Sequence, residues 1–204
     1  MKIVDGLRLK GSPAEIPDCS RDELPQFFVE MGFKVGAEIG VYKGEFSEKF
    51  CKAGLKLYAI DPGLPEHLDK SRGPNRLEFL YEYTKRVLTP YPNCTIIRKT
   101  SMEAALDFED NSLDFVYIDA NHGFRYIAED LWEWSKKVKK GGVISGHDYA
   151  VSKDAHDKYS YHVKFAVDGF VRAKEIMNFY VLGRKETLLN EKRDKWRSWM
   201  WIKE

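Results

Sequence analysis

The chain predicts a doubly wound α/β domain built on a mostly parallel sheet. Three observations carry this. Short apolar runs alternate with amphipathic stretches five times between residues 35 and 149. Polar residues stand at or just past the carboxyl ends of those runs: Asp61, Ser101, Asp119, His122, His147 and Asp148. The chain then closes on two apolar runs, 178–182 and 198–202, with a charged segment and no helical pattern between them. Two consecutive strands of that kind predict an antiparallel pair at one end of the sheet.

A length of 204 residues suits one domain. Within it, residues 1–33 form a lead-in and helix, 34–149 a ligand-binding core, and 150–204 a loop, a helix and the terminal strand pair. The formal net charge of +1 gives no bulk electrostatic case for nucleic acid or an anionic membrane. No run of eighteen apolar residues predicts a transmembrane helix, and the N-terminus has no apolar core of a secretory signal. Cys19, Cys51 and Cys94 are far apart and odd in number, which reads as free thiols in a reducing compartment. The expectation is a soluble, cytoplasmic protein. No heptad pattern speaks to oligomeric state.

Residues 1–17 show no periodicity, and Pro13 and Pro17 predict an extended lead-in. Ser20-Arg21-Asp22-Glu23 matches a capping box ahead of Leu24, Phe27, Phe28 and Met31 at helical spacing. Residues 35–44 read V-G-A-E-I-G-V-Y-K-G: a buried strand, a glycine-rich turn and the opening of a helix. Glu38, Gly40 and Gly44 are spaced E-x-G-x-x-x-G. Gly40, lacking Cβ, lets a ligand approach the backbone, and the turn leaves N–H groups near a helix N-terminus. A carboxylate at Glu38 inside an apolar strand needs a partner.

Residues 55–60 are the second strand, ending in Asp61-Pro62-Gly63. Asp61 lies 21 residues after Gly40, where nucleoside sites place the carboxylate that grips ribose hydroxyls; an Asp before Pro-Gly is also common in plain turns. Residues 64–76 read as a loop or lid, and 77–88 as a helix with Leu77, Leu80, Tyr81, Thr84 and Leu88 on one side. Residues 95–97 are the third strand, and Ser101 is expected to cap a short helix. Residues 112–118 are the fourth strand. A helix over 124–139 follows, with Ile127, Leu131, Trp134 and Val138 inward and a lysine-rich end that suits the helix dipole. Gly141-Gly142 is expected to cap that helix, ahead of a fifth strand at 143–145 that runs into Gly146-His147-Asp148-Tyr149. Residues 150–161 read as a substrate-facing loop, with His156 and His162 in or beside it, and 163–176 as a helix.

The residues E-I-G-V-Y-K-G at 38–44, Asp61, Ser101-Met102, Asp119 and the G-G-V-I-S-G-H-D-Y run at 141–149 resemble the class I S-adenosylmethionine-dependent methyltransferases. The resemblance covers about residues 34–203. It implies a Rossmann-like seven-stranded sheet whose last strand is antiparallel. I-D-x-x-H after strand four and G-H-D-Y after strand five look like a small methyltransferase group common in bacterial biosynthetic clusters. The layout is similar to the metal-dependent O-methyltransferases. The resemblance implies that Glu38 and Gly40 border the methionine part of the cofactor, with Tyr42 and Gly44 in the same turn. Asp61 takes the ribose hydroxyls, and Ser101 and Met102 flank the adenine. Asp119 borders the cofactor and, with His147 and Asp148, holds a divalent cation. Metal-dependent members present Asp-Asp or Asp-Asn at the latter pair. His147 departs from that, and a histidine ligand shifts preference from magnesium toward manganese, iron or zinc.

Methyl transfer from a sulfonium is a direct displacement, so acceptor, methyl and sulfur must be aligned. A hydroxyl acceptor also needs a base or a metal to lose its proton. His122, with an ordinary imidazole pKa near ~6.5, is the expected base beside Asp119. The expected activity is methyl transfer to a hydroxyl of a small molecule. Two alternatives stay open at this level: a nicotinamide-dependent oxidoreductase, against which G-x-G-x-x-G is absent, and a non-catalytic binding protein on the same fold.

Overall fold

The computed structural model describes residues 1–63, 74–150, 162–186 and 189–204. Residues 64–73 and 151–161, which carry most of the two expected loops and His156, lie outside the described residues, as does the side chain of Leu77.

The chain opens with a short helix α1 (Ile3–Gly6) and a strand β1 (Ala14–Ile16), where the sequence predicts only an extended lead-in. A 3-10 turn (Arg21–Glu23) carries the expected capping box from Ser20 to Glu23 and leads into α2 (Leu24–Glu30). Then come β2 (Val35–Ile39), α3 (Glu45–Lys52), β3 (Lys56–Ile60), α4 (Pro74–Leu88), β4 (Cys94–Ile97), α5 (Ser101–Ala105), β5 (Leu113–Ile118), α6 (Phe124–Lys137), β6 (Val138–Gly146), α7 (Val163–Ala173), β7 (Phe179–Leu182) and β8 (Trp199–Ile202).

The strands form one sheet in the order β1-β7-β8-β6-β5-β2-β3-β4. β8 runs antiparallel to both its neighbours, β6 and β7; the other pairings are parallel. The eighth strand, one more than expected, is β1, a three-residue edge strand whose register pairs Ala14 with Tyr180 and Ile16 with Leu182. All six residues of β5 are buried, as a parallel strand covered on both faces should be.

Two apolar layers cover the sheet. On one face Phe28 stacks on Phe115 at 4.3 Å and Phe46 packs on Tyr117 at 4.6 Å. On the other, Ile127, Leu131 and Trp134 of α6 join Val167 of α7 and the tryptophans Trp199 and Trp201 of β8. Each such fully buried large side chain contributes roughly 1.5–3 kcal/mol.

The Gly141-Gly142 pair departs from its expected role. α6 passes straight into β6 at Val138, so no glycine caps the helix. The pairing of β5 with β6 instead jumps from Leu113–Val138 to Phe115–Val143, and the glycines sit in the resulting irregularity. There Gly141 N donates to Lys203 O, and Lys203 N donates back to Gly142 O. A Cβ on Gly142 would lie 2.4 Å from the Asp114 carbonyl oxygen, so a side chain has no room in this turn. The lysines nearby are engaged in ion pairs: Lys137 with Asp110, Lys136 with Glu133 and Lys139 with Asp114.

Candidate active site

The strand order reverses between β2 and β5, and open sheets of this kind form a crevice there, beyond the carboxyl ends of the strands. The backbone of the crevice is tightly drawn. Gly40 N donates to Ile60 O and Asp119 N donates to Ile39 O. Gly40 has φ +89, and a Cβ on it would lie 2.2 Å from the Asp119 carbonyl oxygen. The sequence suggests that this glycine admits a ligand; in the fold it admits the backbone of the neighbouring strand end.

Asp61 organises the turn that follows. Its Oδ2 accepts hydrogen bonds from Val41 N and Tyr42 N, each at 3.0 Å, and its Oδ1 accepts from Gly63 N at 2.8 Å. Thr84 of α4 donates its hydroxyl to Tyr42 O. Tyr42 itself takes a left-handed backbone (φ 52), a conformation that costs a non-glycine residue energy and persists where its surroundings impose it. Gly44 (φ 77) opens α3.

A cavity of about 450 Å³ occupies the crevice. That lies within the roughly 300–1,000 Å³ of typical small-ligand pockets. Gly40, Tyr42, Asp61, Ser101, Met102 and Asp119 all line it. Glu38 and Gly44 are not among its lining residues. Glu38 is buried and accepts a hydrogen bond from the Ser47 hydroxyl, which is the partner its burial requires. Burial, aided by the Asp119 charge and opposed by the Ser47 bond, pushes its carboxyl up to about 8.

Ser101 is not the cap of α5; Thr100 holds that role in a capping box with Glu103. The Ser101 hydroxyl instead accepts from Trp134 Nε1 at 2.8 Å and donates to Asp130 Oδ1. Asp130 is buried, lines the cavity and is pushed up to about 7 by burial. Its sequence signal is its position, on the inner face of α6 between Ile127 and Trp134, which looks like part of the apolar stripe.

At Asp119 the cavity meets a charged cluster. His122 Nε2 lies 2.9 Å from Asp148 Oδ2 and 3.7 Å from Asp119 Oδ1. His147 Nδ1 lies 3.4 Å from Asp148 Oδ2 and 3.9 Å from Asp119 Oδ2. Arg21 Nη1 donates to Asp119 Oδ2 at 3.1 Å, and its guanidinium sits 4.9 Å above the Phe46 ring. Arg21 went unnoticed in the sequence because its local setting, the capping box, already accounts for it.

Burial disfavours the charged imidazole of His122, but the nearby carboxylates of Asp119 and Asp148 outweigh it and push His122 up to about 9. The ordinary imidazole value assumed from sequence therefore does not hold here: at neutral pH His122 carries a proton. Burial likewise works against ionisation of Asp148, yet the bonds from His122 and His147 hold its carboxyl well below the usual range. Asp119, His122 and Asp148 offer ligand atoms all within 4.8 Å of one another, a set suited to a metal ion. The grouping differs from the expected Asp119, His147 and Asp148 by taking His122. His162, at the start of α7, donates its backbone N–H to His122 O and accepts from Phe124 N at Nδ1, which ties α7 to this loop.

The sequence model of a family described as "Methyltransferase domain" matches residues 37–149. An uncharacterized protein of Sinorhizobium fredii (strain NBRC 101917 / NGR234), y4gI, is 30% identical over 71 residues, which span 35% of this chain and 8% of that protein. Among solved structures, the O-methyltransferase TomG of Streptomyces achromogenes, involved in tomaymycin synthesis and solved with S-adenosylmethionine (SAM), is similar at TM-score 0.60 and 14% identity. That likeness covers 90% of this chain and 79% of TomG. An O-methyltransferase from Bacillus cereus, solved in complex with SAH, is similar at TM-score 0.62 and 13% identity, over 90% of this chain and 80% of that one. At such identities the two structures speak for the fold.

Proposed function

The chain belongs to the methyltransferase domain family that it matches over residues 37–149, and from that premise we propose that it moves a methyl group from S-adenosylmethionine to a hydroxyl of a small molecule. One observation carries the reading: the crevice cavity is lined by Asp119, whose carboxylate is shared with the His122–Asp148–Arg21 cluster. A nucleoside cofactor in the cavity would then present its reactive end to a group able to handle a proton. The names of TomG and the Bacillus cereus enzyme, both O-methyltransferases, support the choice of donor and of an oxygen acceptor. The nicotinamide alternative has no comparable support.

In the proposed reaction the acceptor oxygen attacks the methyl carbon. The C–O bond forms as the C–S bond breaks, and the positive sulfonium leaves as a neutral thioether. The protein must align the two partners and take up the hydroxyl proton. The Asp61-braced turn and the Ser101–Met102 wall hold the cofactor. At neutral pH His122 is, with Arg21, a cation of the cluster and steadies negative charge as it develops on the acceptor oxygen. The Asp119 carboxylate, which lines the cavity, accepts the hydrogen bond of the acceptor hydroxyl and takes up its proton as the C–O bond forms. Arg21 holds Asp119 in place through its hydrogen bond to Oδ2.

The donor set also fits a divalent cation. Two carboxylates and one imidazole suit manganese, iron or zinc, and Asp119, His122 and Asp148 would hold it with His147 alongside. Such an ion, when bound, supplies Lewis acidity that lowers the pKa of the acceptor hydroxyl.

The test is transfer of isotopically labelled methyl from S-adenosylmethionine to a panel of hydroxylated small molecules, with and without added manganese. Label on oxygen is expected, with turnover lost in Asp119→Ala while S-adenosylhomocysteine (SAH) still binds. Absence of binding to S-adenosylhomocysteine, or label placed on nitrogen or carbon, overturns the reading.

A further inference from the structure

The two members of the His122–Asp148 pair come from different strand ends, His122 from the loop after β5 and Asp148 from the end of β6. Asp148 has a left-handed backbone, φ 57, and is 5% exposed. A non-glycine residue keeps that conformation where its surroundings impose it. Backbone bonds grip the turn on both sides: His147 N donates to Ile118 O at 3.1 Å, and Tyr149 N donates to Arg197 O at 2.9 Å. Trp199 Nε1 donates to His147 O at 2.9 Å. The Tyr149 side chain adds a tie to α7. Its ring packs edge-on against Phe179 at 5.5 Å, and its hydroxyl donates to Asp168 Oδ1 at 2.6 Å. Burial, with the Asp168 carboxylate, keeps the phenol protonated, so it is the donor. Lys164, one turn earlier on α7, donates to the other Asp168 oxygen and lies 4.8 Å from the Tyr149 ring.

The same helix holds the partner. His162, the residue ahead of α7, donates its N–H to His122 O at 3.0 Å and accepts from Phe124 N at Nδ1. α7 is thus bonded to both loops whose side chains meet in the 2.9 Å contact between His122 Nε2 and Asp148 Oδ2. A small misplacement of reacting or supporting groups costs rate out of proportion to its size. We propose that Tyr149 and Asp168 are positioning residues of the reaction: their hydrogen bond makes α7 a brace that keeps the Asp148 carboxylate on His122. The inference rests on the reading of the Asp119–His122–Asp148 cluster as the acceptor side of a methyltransferase. It extends that reading to two side chains outside the residues that line the cavity.

The experiment measures turnover and S-adenosylhomocysteine affinity side by side, with the best acceptor of the labelled-methyl panel. Tyr149→Phe keeps the ring and loses only the hydroxyl. It is expected to lower kcat about tenfold while the affinity stays within about twofold. Asp168→Asn keeps an oxygen that can accept from Tyr149 and is expected to hold kcat within about threefold of the wild type, whereas Asp168→Ala loses about as much as Tyr149→Phe. Asp148→Asn supplies the decisive background, since asparagine tolerates the left-handed backbone and lacks the carboxylate that is to be placed. There Tyr149→Phe is expected to cost less than about twofold further, because residues that act as a unit are not additive. Unchanged kcat in Tyr149→Phe overturns the proposal. So does a loss that persists in full in the Asp148→Asn background, which would show Tyr149 supporting the fold at large. Equal losses in Asp168→Asn and Asp168→Ala overturn it as well, by assigning the effect to the Lys164 ion pair. A wild-type chain that binds no S-adenosylhomocysteine has a different meaning: it refutes the methyltransferase reading itself, and the proposal falls with it.

Discussion

Arg21 Nη1 donates to Asp119 Oδ2 at 3.1 Å, joining the N-terminal segment to the end of β5 across 98 residues of sequence. The arginine comes from outside the matched family region of 37–149. It is held by its own surroundings: its guanidinium stacks over Phe46, and its backbone N–H donates to Asp194. Charge-assisted bonds of this kind are worth about 1.5–3 kcal/mol. Arg21→Ala is therefore expected to lower turnover by about tenfold or more while S-adenosylhomocysteine affinity changes much less. Arg21→Lys should restore only part of it, because an ammonium lacks the planar fork. Steady-state kinetics beside calorimetric binding decide the matter; unchanged turnover in Arg21→Ala would remove the arginine from the site.

Glu38 makes stability depend on pH in an uncommon direction. Its folded carboxyl, raised to about 8, lies above the ordinary value of 4.5. Between those values the folded state holds a proton that the unfolded state has released. Stability is then highest near and below pH 4.5 as far as this group is concerned, and falls as pH rises toward 8. The loss is on the order of a few kcal/mol. Glu38→Gln keeps a hydrogen-bonding partner for Ser47 and removes the ionisation. Denaturant titrations at pH 5 and pH 8 should show a smaller drop in the variant than in the wild type. An identical drop in both would mean that Glu38 stays ionised in the fold.

Gly40 is constrained twice, by its φ of +89 and by the Asp119 carbonyl oxygen at 2.2 Å from where a Cβ would stand. Gly32 has a similar φ of +78 but nothing within 4 Å. The left-handed conformation alone costs an L-residue roughly 1–2 kcal/mol. Forcing apart two packed backbones adds about 1–3 kcal/mol more. Gly40→Ala should thus be destabilised by clearly more than Gly32→Ala in equilibrium unfolding. Equal losses would show that β2 and β5 separate at no cost.

Manganese offers a direct probe of the Asp119–His122–Asp148 group. An ion that binds the folded chain alone raises its melting temperature with concentration. The wild type is expected to show that rise, and Asp148→Asn, which weakens one ligand and its bond to His122, to show little of it. A rise of the same size in both would place the ion elsewhere.

The parallel core was legible because its signals are local. Each strand of the core is a short apolar run, the turns after β2, β3, β5 and β6 carry a glycine or an aspartate, and α3 and α6 show their apolar faces at helical spacing. Asp61, Ser101, Met102 and Asp119 could be nominated because residues at carboxyl ends of parallel strands share one edge of the sheet. The edge strand β1 escaped notice: three residues are too few for a period, and their strand identity comes from pairing with β7. In sequence Gly141-Gly142 looks like a helix cap, because a glycine pair after a lysine-rich helix reads the same whether the chain stops or bulges.

Sequence alone therefore pointed to the alternating architecture, the cavity's position beyond the strand ends, and six of the residues that line it: Gly40, Tyr42, Asp61, Ser101, Met102 and Asp119. The tertiary structure decided which charges meet and in what state. It brought Arg21 and His122 to Asp119, placed Asp61 on the backbone of the glycine turn, buried Glu38 against Ser47, and gave Asp130 its place behind Ser101. The physical reason is range. Periodicity and turn chemistry act between neighbours in the chain, whereas ion pairing and desolvation depend on groups that only folding brings together.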